Sequence, residues 1–160
     1  MNLRDKLSED TILAPMEAAT QADAIQELLN HLQSLQILST THKLFSFIKE
    51  QEDSFTSAAG RGIAYPHSTS KEIKNCVSIL GISINGIDFK SPDNQLCHVI
   101  LLTLSPEKEP LGHRKFVTRF RTMLEDPLVR AMLSESGSSE EVLNIITDWE
   151  DSESDPMELD

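Results

Sequence analysis

The chain has 160 residues, 39% of them hydrophobic and 25% charged, with a formal net charge of -12. That length and balance predict one soluble domain built on a single core. The acidic balance argues against nucleic acid as the main ligand, since phosphate backbones select basic surfaces, and no apolar run reaches the ~20 residues that span a bilayer.

Met1-Asn2-Leu3-Arg4-Asp5-Lys6-Leu7 mixes charges and lacks a long apolar region, so it does not read as a secretory signal. A cytoplasmic location is the expectation. Cys76 and Cys97 have no zinc-site spacing and are expected as buried thiols. Thr11-Ile12-Leu13-Ala14, ended by Pro15, predicts an edge strand. Thr20 with Asp23 opens a helix over residues 21–36, whose apolar face is Ile25, Leu28, Leu29, Leu32 and Leu35. Ser39-Thr40-Thr41 starts a second helix, with Leu44, Phe45, Phe47 and Ile48 on its buried side. His31 and His42 fall on these helices among polar neighbours and read as surface residues.

Residues 54–62 are small, polar and glycine-rich, and predict a loop. Ile63-Ala64-Tyr65 is a short strand that Pro66 ends, followed by a polar loop over His67-Ser68-Thr69-Ser70. Residues 77–84 form a buried strand, and Asn85-Gly86 is a hairpin signal with Ile87-Asp88-Phe89 as the return. Ser91-Pro92-Asp93-Asn94 is a turn. Val99 to Leu104 is a near-continuous apolar run, as in a central strand covered on both faces. A helix over 112–125 carries Phe116, Val117, Phe120, Met123 and Leu124 inward, with His113 in its first turn. Arg114, Lys115, Arg119 and Arg121 make it the most basic segment of the chain. Asp126-Pro127 restarts a short helix, and Ser138 with Glu141 caps a last one. Residues 148–160 are acidic and read as a disordered tail after a domain over 1–147. Helices, then strands, then helices again imply an α/β fold: a mixed sheet with helices on both faces.

Two histidines fall where chemistry is built. His67 ends a strand beside a glycine-rich loop, and His113 opens a helix after the central strand. If those strand ends share one edge of the sheet, the imidazoles meet. A neutral imidazole is a competent nucleophile toward phosphorus. Phosphoryl transfer asks the protein chiefly for positioning and for charge on the equatorial oxygens. Backbone N–H groups of Gly60-Arg61-Gly62 and the hydroxyls of Ser57 or Thr56 are candidates for that second task. Taken alone, each signal is weak. Pro-His pairs are common, this Gly-x-Gly lacks the third glycine of a dinucleotide fingerprint, and a histidine on an apolar face is more often a satisfied core residue. A metal-dependent hydrolase using His67, His98 and His113 is a further reading, without carboxylates at ligand spacing. No cofactor motif is present, and no metal is expected.

Ser57-Ala58-Ala59-Gly60-Arg61-Gly62-Ile63-Ala64-Tyr65-Pro66-His67, then Gly86-Ile87-Asp88-Phe89, then Val99 to Leu104, then His113 at a helix start, carry a resemblance. In order and spacing the chain resembles the enzyme IIA domains of the bacterial phosphoenolpyruvate-dependent phosphotransferase system, of the fructose/mannitol type and its nitrogen-regulatory branch. The resemblance implies a mixed five-stranded sheet in a three-layer sandwich. It implies that His67 accepts a phosphoryl group on Nε2 from the carrier protein HPr, with His113 assisting. It also implies either transfer onward to an enzyme IIB for sugar uptake or a regulatory output through a target protein. A purely regulatory binding module is the reading from another class, favoured in the sequence by the lack of an attached IIB or IIC domain. Three positions depart from the family pattern. Gln51-Glu52 stands where Arg-Glu is usual, so either transfer is weakened or Arg61 substitutes. Arg114 follows His113 where leucine is usual, and Tyr65 replaces an aliphatic residue.

Overall fold

The computed structural model describes residues 2–153. After two short 3-10 turns the order is β1 (Ile12–Leu13), α1 (Gln21–Ser34), α2 (His42–Ser54), β2 (Ala58–Gly60), β3 (Ile63–Ala64), β4 (His67–Ser70), β5 (Val77–Ile87) and β6 (Cys97–Pro106). Then follow α3 (Arg114–Met123), α4 (Pro127–Ser134) and α5 (Ser139–Glu153). The strands form one mixed sheet in the order β1-β5-β6-β3-β2, with β4 also paired to β6. β5 runs antiparallel along one side of β6, while β3 and β4 run parallel along the other.

This resolves the strand count. Ile63 pairs with Val99 and His67 with Thr103, so β3 and β4 are two segments of one strand line, broken at Tyr65-Pro66. Five lines give six segments. Pro66 interrupts the ladder as its missing N–H requires, yet its carbonyl still accepts from Thr103 N–H at 3.1 Å. His67–Ser70 is therefore a strand, and the predicted polar loop is corrected. Its alternation is visible in burial, since Ser68 is buried between exposed His67 and Thr69, but the polar residue types conceal it. Ala58–Gly60, also read as loop, is the antiparallel edge strand β2.

β6 shows why three layers form. Ile100, Leu102 and Leu104 face α1 and α2, whereas Val99 and Leu101 face the layer of α3, α4 and α5. Successive strand side chains point to opposite faces, so a near-continuous apolar run feeds two cores at once. The single core expected from length is in fact two apolar layers sharing the sheet. α1 supplies the first layer with Ala24, Ile25, Leu28, Leu29 and Leu32, all fully buried. Thr20 caps α1, its Oγ1 accepting from Asp23 N–H at 3.2 Å. Asp126 caps α4 ahead of Pro127, its Oδ1 accepting from Leu128 N–H at 2.9 Å.

Two further expectations change. Asn85-Gly86 is not a hairpin turn, since β5 continues to Ile87, which pairs with Cys97 across a register shift. Gly86 has φ +83°, and a Cβ there would lie 2.7 Å from the Leu96 Cβ, so the glycine serves an irregularity inside the ladder. The chain reverses later, around Ser91–Asn94, where Asn94 N–H donates to the Ser91 carbonyl at 3.0 Å. At the C-terminus α5 continues through 148–153, into the segment read as a tail. Glu150 is completely buried there. The rest of that segment lies outside the described residues.

Candidate functional site

A cleft of about 870 Å³ opens where α2, the start of β2, the β3–β4 break and α3 converge, and both His67 and His113 line it. His67 arrives there because the strand line ends its buried run at Pro66 and resumes with an exposed residue. Its Nδ1 lies 3.2 Å from the Tyr65 carbonyl oxygen. A carbonyl only accepts, so Nδ1 carries the proton and donates, and Nε2 keeps its lone pair.

His113 is the N-cap residue of α3 and is half-buried. Its ring stacks on that of His67, with centroids 5.6 Å apart and planes 28° from parallel. Its Nδ1 lies 3.1 Å from Oγ of buried Ser105 on β6. Cys76 Sγ lies 3.5 Å from the same hydroxyl oxygen. Burial lowers the His113 imidazole below its ordinary 6.5, and His67 and Arg114 push the same way against a hydrogen bond to the Pro110 carbonyl. His113 is thus held neutral beside the more exposed ring.

The opposite wall comes from α2 and the start of β2. Glu52 is buried and accepts from Ser57 N–H at 2.7 Å and from the Ser57 hydroxyl. Burial raises its carboxyl above the ordinary value, with the Ser57 hydrogen bonds pulling it back. The Thr56 hydroxyl is occupied by the Phe89 carbonyl. Phe47 and Phe55 stand on the rim, 62% and 86% exposed. Arg121, two turns along α3 from His113, also lines the cleft, its Cζ 4.4 Å from the centre of the Tyr65 ring. Burial pushes the Tyr65 phenol up to about 12, so it stays neutral.

Residues 5–149 match the family model described as "Phosphoenolpyruvate-dependent sugar phosphotransferase system, EIIA 2". The chain belongs to this family. A nitrogen regulatory protein of Bradyrhizobium diazoefficiens is 24% identical over 146 residues, covering 91% of this chain and 95% of the relative. The fructose-specific EIIABC component of Bacillus subtilis (strain 168) is 26% identical over 146 residues, and there the chain spans 23% of the relative's length. Among solved structures, nitrogen regulatory protein IIA-Ntr of Neisseria meningitidis superposes with TM-score 0.78 at 21% identity, covering 89% of this chain and 97% of that one. Enzyme IIA mannitol of Escherichia coli, in its complex with phosphorylated enzyme IIB mannitol, superposes with TM-score 0.75 at 20% identity, covering 89% and 98%.

In this EIIA chain the site residues expected from sequence divide. His67, His113 and Ser57 meet in one cleft. Gly60, Arg61 and Gly62 do not line it. All three have positive φ, at +85°, +59° and +80°, because they form the tight turn that reverses β2 into β3. The turn lies beyond Ile63, four residues of strand line from His67, or about 13 Å at strand rise. Arg61 N–H is already committed to Asp93 Oδ2 at 2.8 Å. The glycines are required by the reversal, and Arg61 stands outside the cleft that Gln51 lines.

His98 is also elsewhere. It sits five residues before Thr103 on β6, about 16 Å along the strand, with Nδ1 donating to the Ser83 carbonyl at 2.8 Å. Among the described residues, no three His, Cys, Asp or Glu side chains are grouped to hold a metal. His31 is tied through Nε2 to the Asp10 carbonyl at 2.7 Å, while His42 is exposed. Cys97 is buried and Cys76 half-buried, both as free thiols. Burial pushes the Cys97 thiol up to about 12, which leaves it inert. No helix among the described residues is long and apolar enough to cross a membrane. Sequence reasoning missed Arg121 as a cleft residue and Ser105 as the buried partner of His113.

Proposed function

We propose that this EIIA protein is a phosphocarrier of the phosphotransferase system, whose His67 accepts a phosphoryl group from the phosphohistidine of HPr. The observation that carries this reading is the hydrogen bond from His67 Nδ1 to the Tyr65 carbonyl. It leaves Nε2 as the free nucleophile on an exposed ring. In the transfer, the Nε2 lone pair forms the new N–P bond while the P–N bond of the donor breaks, and the donor imidazole keeps that electron pair. The phosphorylated ring, still protonated at Nδ1, carries positive charge that the Tyr65 carbonyl stabilises. Neutral His113 stacks beside it without adding charge of its own. Phe47 and Phe55 give the rim an apolar contact for a protein donor.

The output we propose is regulatory, of the nitrogen type, supported by the match over 95% of the length of a nitrogen regulatory protein. Onward transfer to an enzyme IIB, as in sugar uptake, is the second reading, supported by the match to a fructose-specific EIIABC component. The protein works as a transferase in either case. The test is incubation with labelled phosphoenolpyruvate, enzyme I and HPr. Wild type takes up label and His67→Ala takes up none; uptake by His67→Ala at the wild-type rate overturns the assignment. Adding enzyme IIB to the labelled protein separates the outputs, since loss of label to IIB favours sugar transfer. Identical partners for wild type and His67→Asp in a pull-down count against a switch.

A further inference from the structure

The residues lining the cleft include two carboxylates, Glu50 and Glu52, and among the described residues one permanently charged cation, Arg121. A phosphoryl dianion entering this space meets like charge from α2 and neutral imidazole from α3. The compensating charge has to come from Arg121 or from the partner.

Arg121 is built for such a task. Its guanidinium carbon stands over the Tyr65 ring, 4.4 Å from the centroid, and none of its N–H donors has a carboxylate or carbonyl partner among the described residues. Other arginines are committed: Arg4 and Arg119 to Glu150, and Arg130 to the Leu124 and Glu125 carbonyls. It follows His113 and Val117 at four-residue steps, and all three line the cleft. About 12 Å of helix axis separates it from His113, and helical side chains lean toward the N-terminus, here toward the histidines.

Tyr65 joins the two functions. Its carbonyl orients His67, and its ring carries Arg121. That ring is itself held edge-to-face by Phe120, with centroids 6.4 Å apart at 89°. Gln51, at the position where the family's arginine is usual, lines the same cleft uncharged. Two departures thus combine: the cation is absent from α2, and an aromatic seat for one faces it from the strand.

We infer that Arg121, seated on Tyr65, is the anion-binding residue of this cleft and holds the phosphoryl oxygens during transfer in place of a cation at Gln51. The inference rests on the reading of His67 as the phosphoryl acceptor. The experiment compares initial label uptake from phosphorylated HPr by the full chain, Arg121→Gln, Arg121→Lys and Tyr65→Leu. A parallel NMR titration with inorganic phosphate follows the His67 and His113 ring signals. Arg121 is exposed, so its variants fold. Arg121→Gln is expected to slow uptake on the order of tenfold or more, short of the 10²–10³ of a fully enclosed donor. Arg121→Lys recovers part of the rate, because it restores charge without the planar fork of donors. Tyr65→Leu falls between Arg121→Lys and Arg121→Gln. Uptake by Arg121→Gln at the wild-type rate overturns the inference and leaves the His67 assignment standing. If wild type takes up no label, the phosphocarrier reading fails and the phosphate titration decides. Ring shifts lost in Arg121→Gln support the anion site, and shifts equal to wild type overturn it.

Discussion

His113 stacks on His67 at 5.6 Å while its own Nδ1 turns away to Ser105. The two rings share a cleft but differ in exposure, and burial holds His113 below its ordinary 6.5. A histidine whose folded value is lowered binds its proton less readily folded than unfolded. Stability therefore rises with pH through this window: its contribution is present above 6.5 and is lost as pH falls through the lower folded value. Urea unfolding between neutral pH and about pH 5 should show this loss in wild type, and a reduced one in His113→Gln. Equal acid sensitivity in the two proteins would show that His113 is not the group responsible. In the labelling assay His113→Ala should slow uptake by about a hundredfold without abolishing it, as for a polar group supporting transferred charge.

Ser105 is the residue that aims His113. Its hydroxyl both donates and accepts, so it holds the ring plane in either tautomer. Ser105→Ala removes that partner from a buried position and should cost about 1 kcal/mol of stability. Label uptake should fall by more than stability alone explains, because the ring loses its fixed orientation. Ser105→Thr, which keeps the hydroxyl, should restore uptake at least in part. If Ser105→Ala transfers at the wild-type rate, stacking on His67 and the helix start are enough to hold the ring.

What the sequence disclosed, and what it hid, follows from the kind of signal each element leaves. α1 was legible because Ile25, Leu28, Leu29 and Leu32 repeat at helical spacing and all are buried. β6 was legible because a strand covered on both faces leaves a near-continuous apolar run, here Val99 to Leu102. β4 was not, because His67-Ser68-Thr69-Ser70 pairs by backbone while its residue types signal a loop. Gly60-Arg61-Gly62 signals a loop by composition, and its positive φ values serve a tight strand reversal outside the cleft, which residue types alone do not distinguish from a phosphate cradle. Arg121 was visible only as one of four basic residues on a helix. Its phase singles it out: eight residues after His113 puts it on the cleft side, whereas Arg119 turns to Glu150. The His67–His113 pairing was legible as a possibility because both lie at strand or helix ends, and the parallel β4–β6 register brings those ends together.

Glu52 gives a pH prediction of opposite sign. Burial raises its carboxyl above the ordinary 4.5, so it keeps its proton longer in the folded state. Its contribution is present below 4.5 and is lost as pH rises through the folded value, where a charge must be held in the cleft. Glu52→Gln keeps the shape, with the amide oxygen accepting from Ser57 N–H and the amide nitrogen donating to the Ser57 hydroxyl oxygen. Thermal unfolding across the acid-to-neutral range should show a smaller decline on raising pH in Glu52→Gln than in wild type. The same slope in both proteins would mean that the Ser57 hydrogen bonds fully offset the cost of burial.

Glu150 is the residue that composition most misrepresents. It lies in an acidic run, yet Val142, Ile146 and Glu150 are buried at four-residue steps along one face of α5. The carboxylate accepts from Leu3 N–H at 2.8 Å, Arg4 N–H at 3.2 Å and Arg119 Nε at 2.9 Å, with Arg4 Nε at 3.3 Å. It thereby ties the N-terminal segment and α3 to α5, while Arg119 also covers the Trp149 ring at 5.0 Å. Removing one partner from a buried charge cluster leaves the others uncompensated, so Glu150→Ala should cost about 3 kcal/mol or more. Asp148→Ala and Asp151→Ala, at exposed positions of the same run, should cost well under 1 kcal/mol. Denaturant unfolding of the three variants measures the contrast. If Glu150→Ala is as mild as its neighbours, α5 is not anchored through this carboxylate. If it is severe, α3 should loosen with it, and the label uptake of the folded fraction should fall because His113 and Arg121 both ride on that helix.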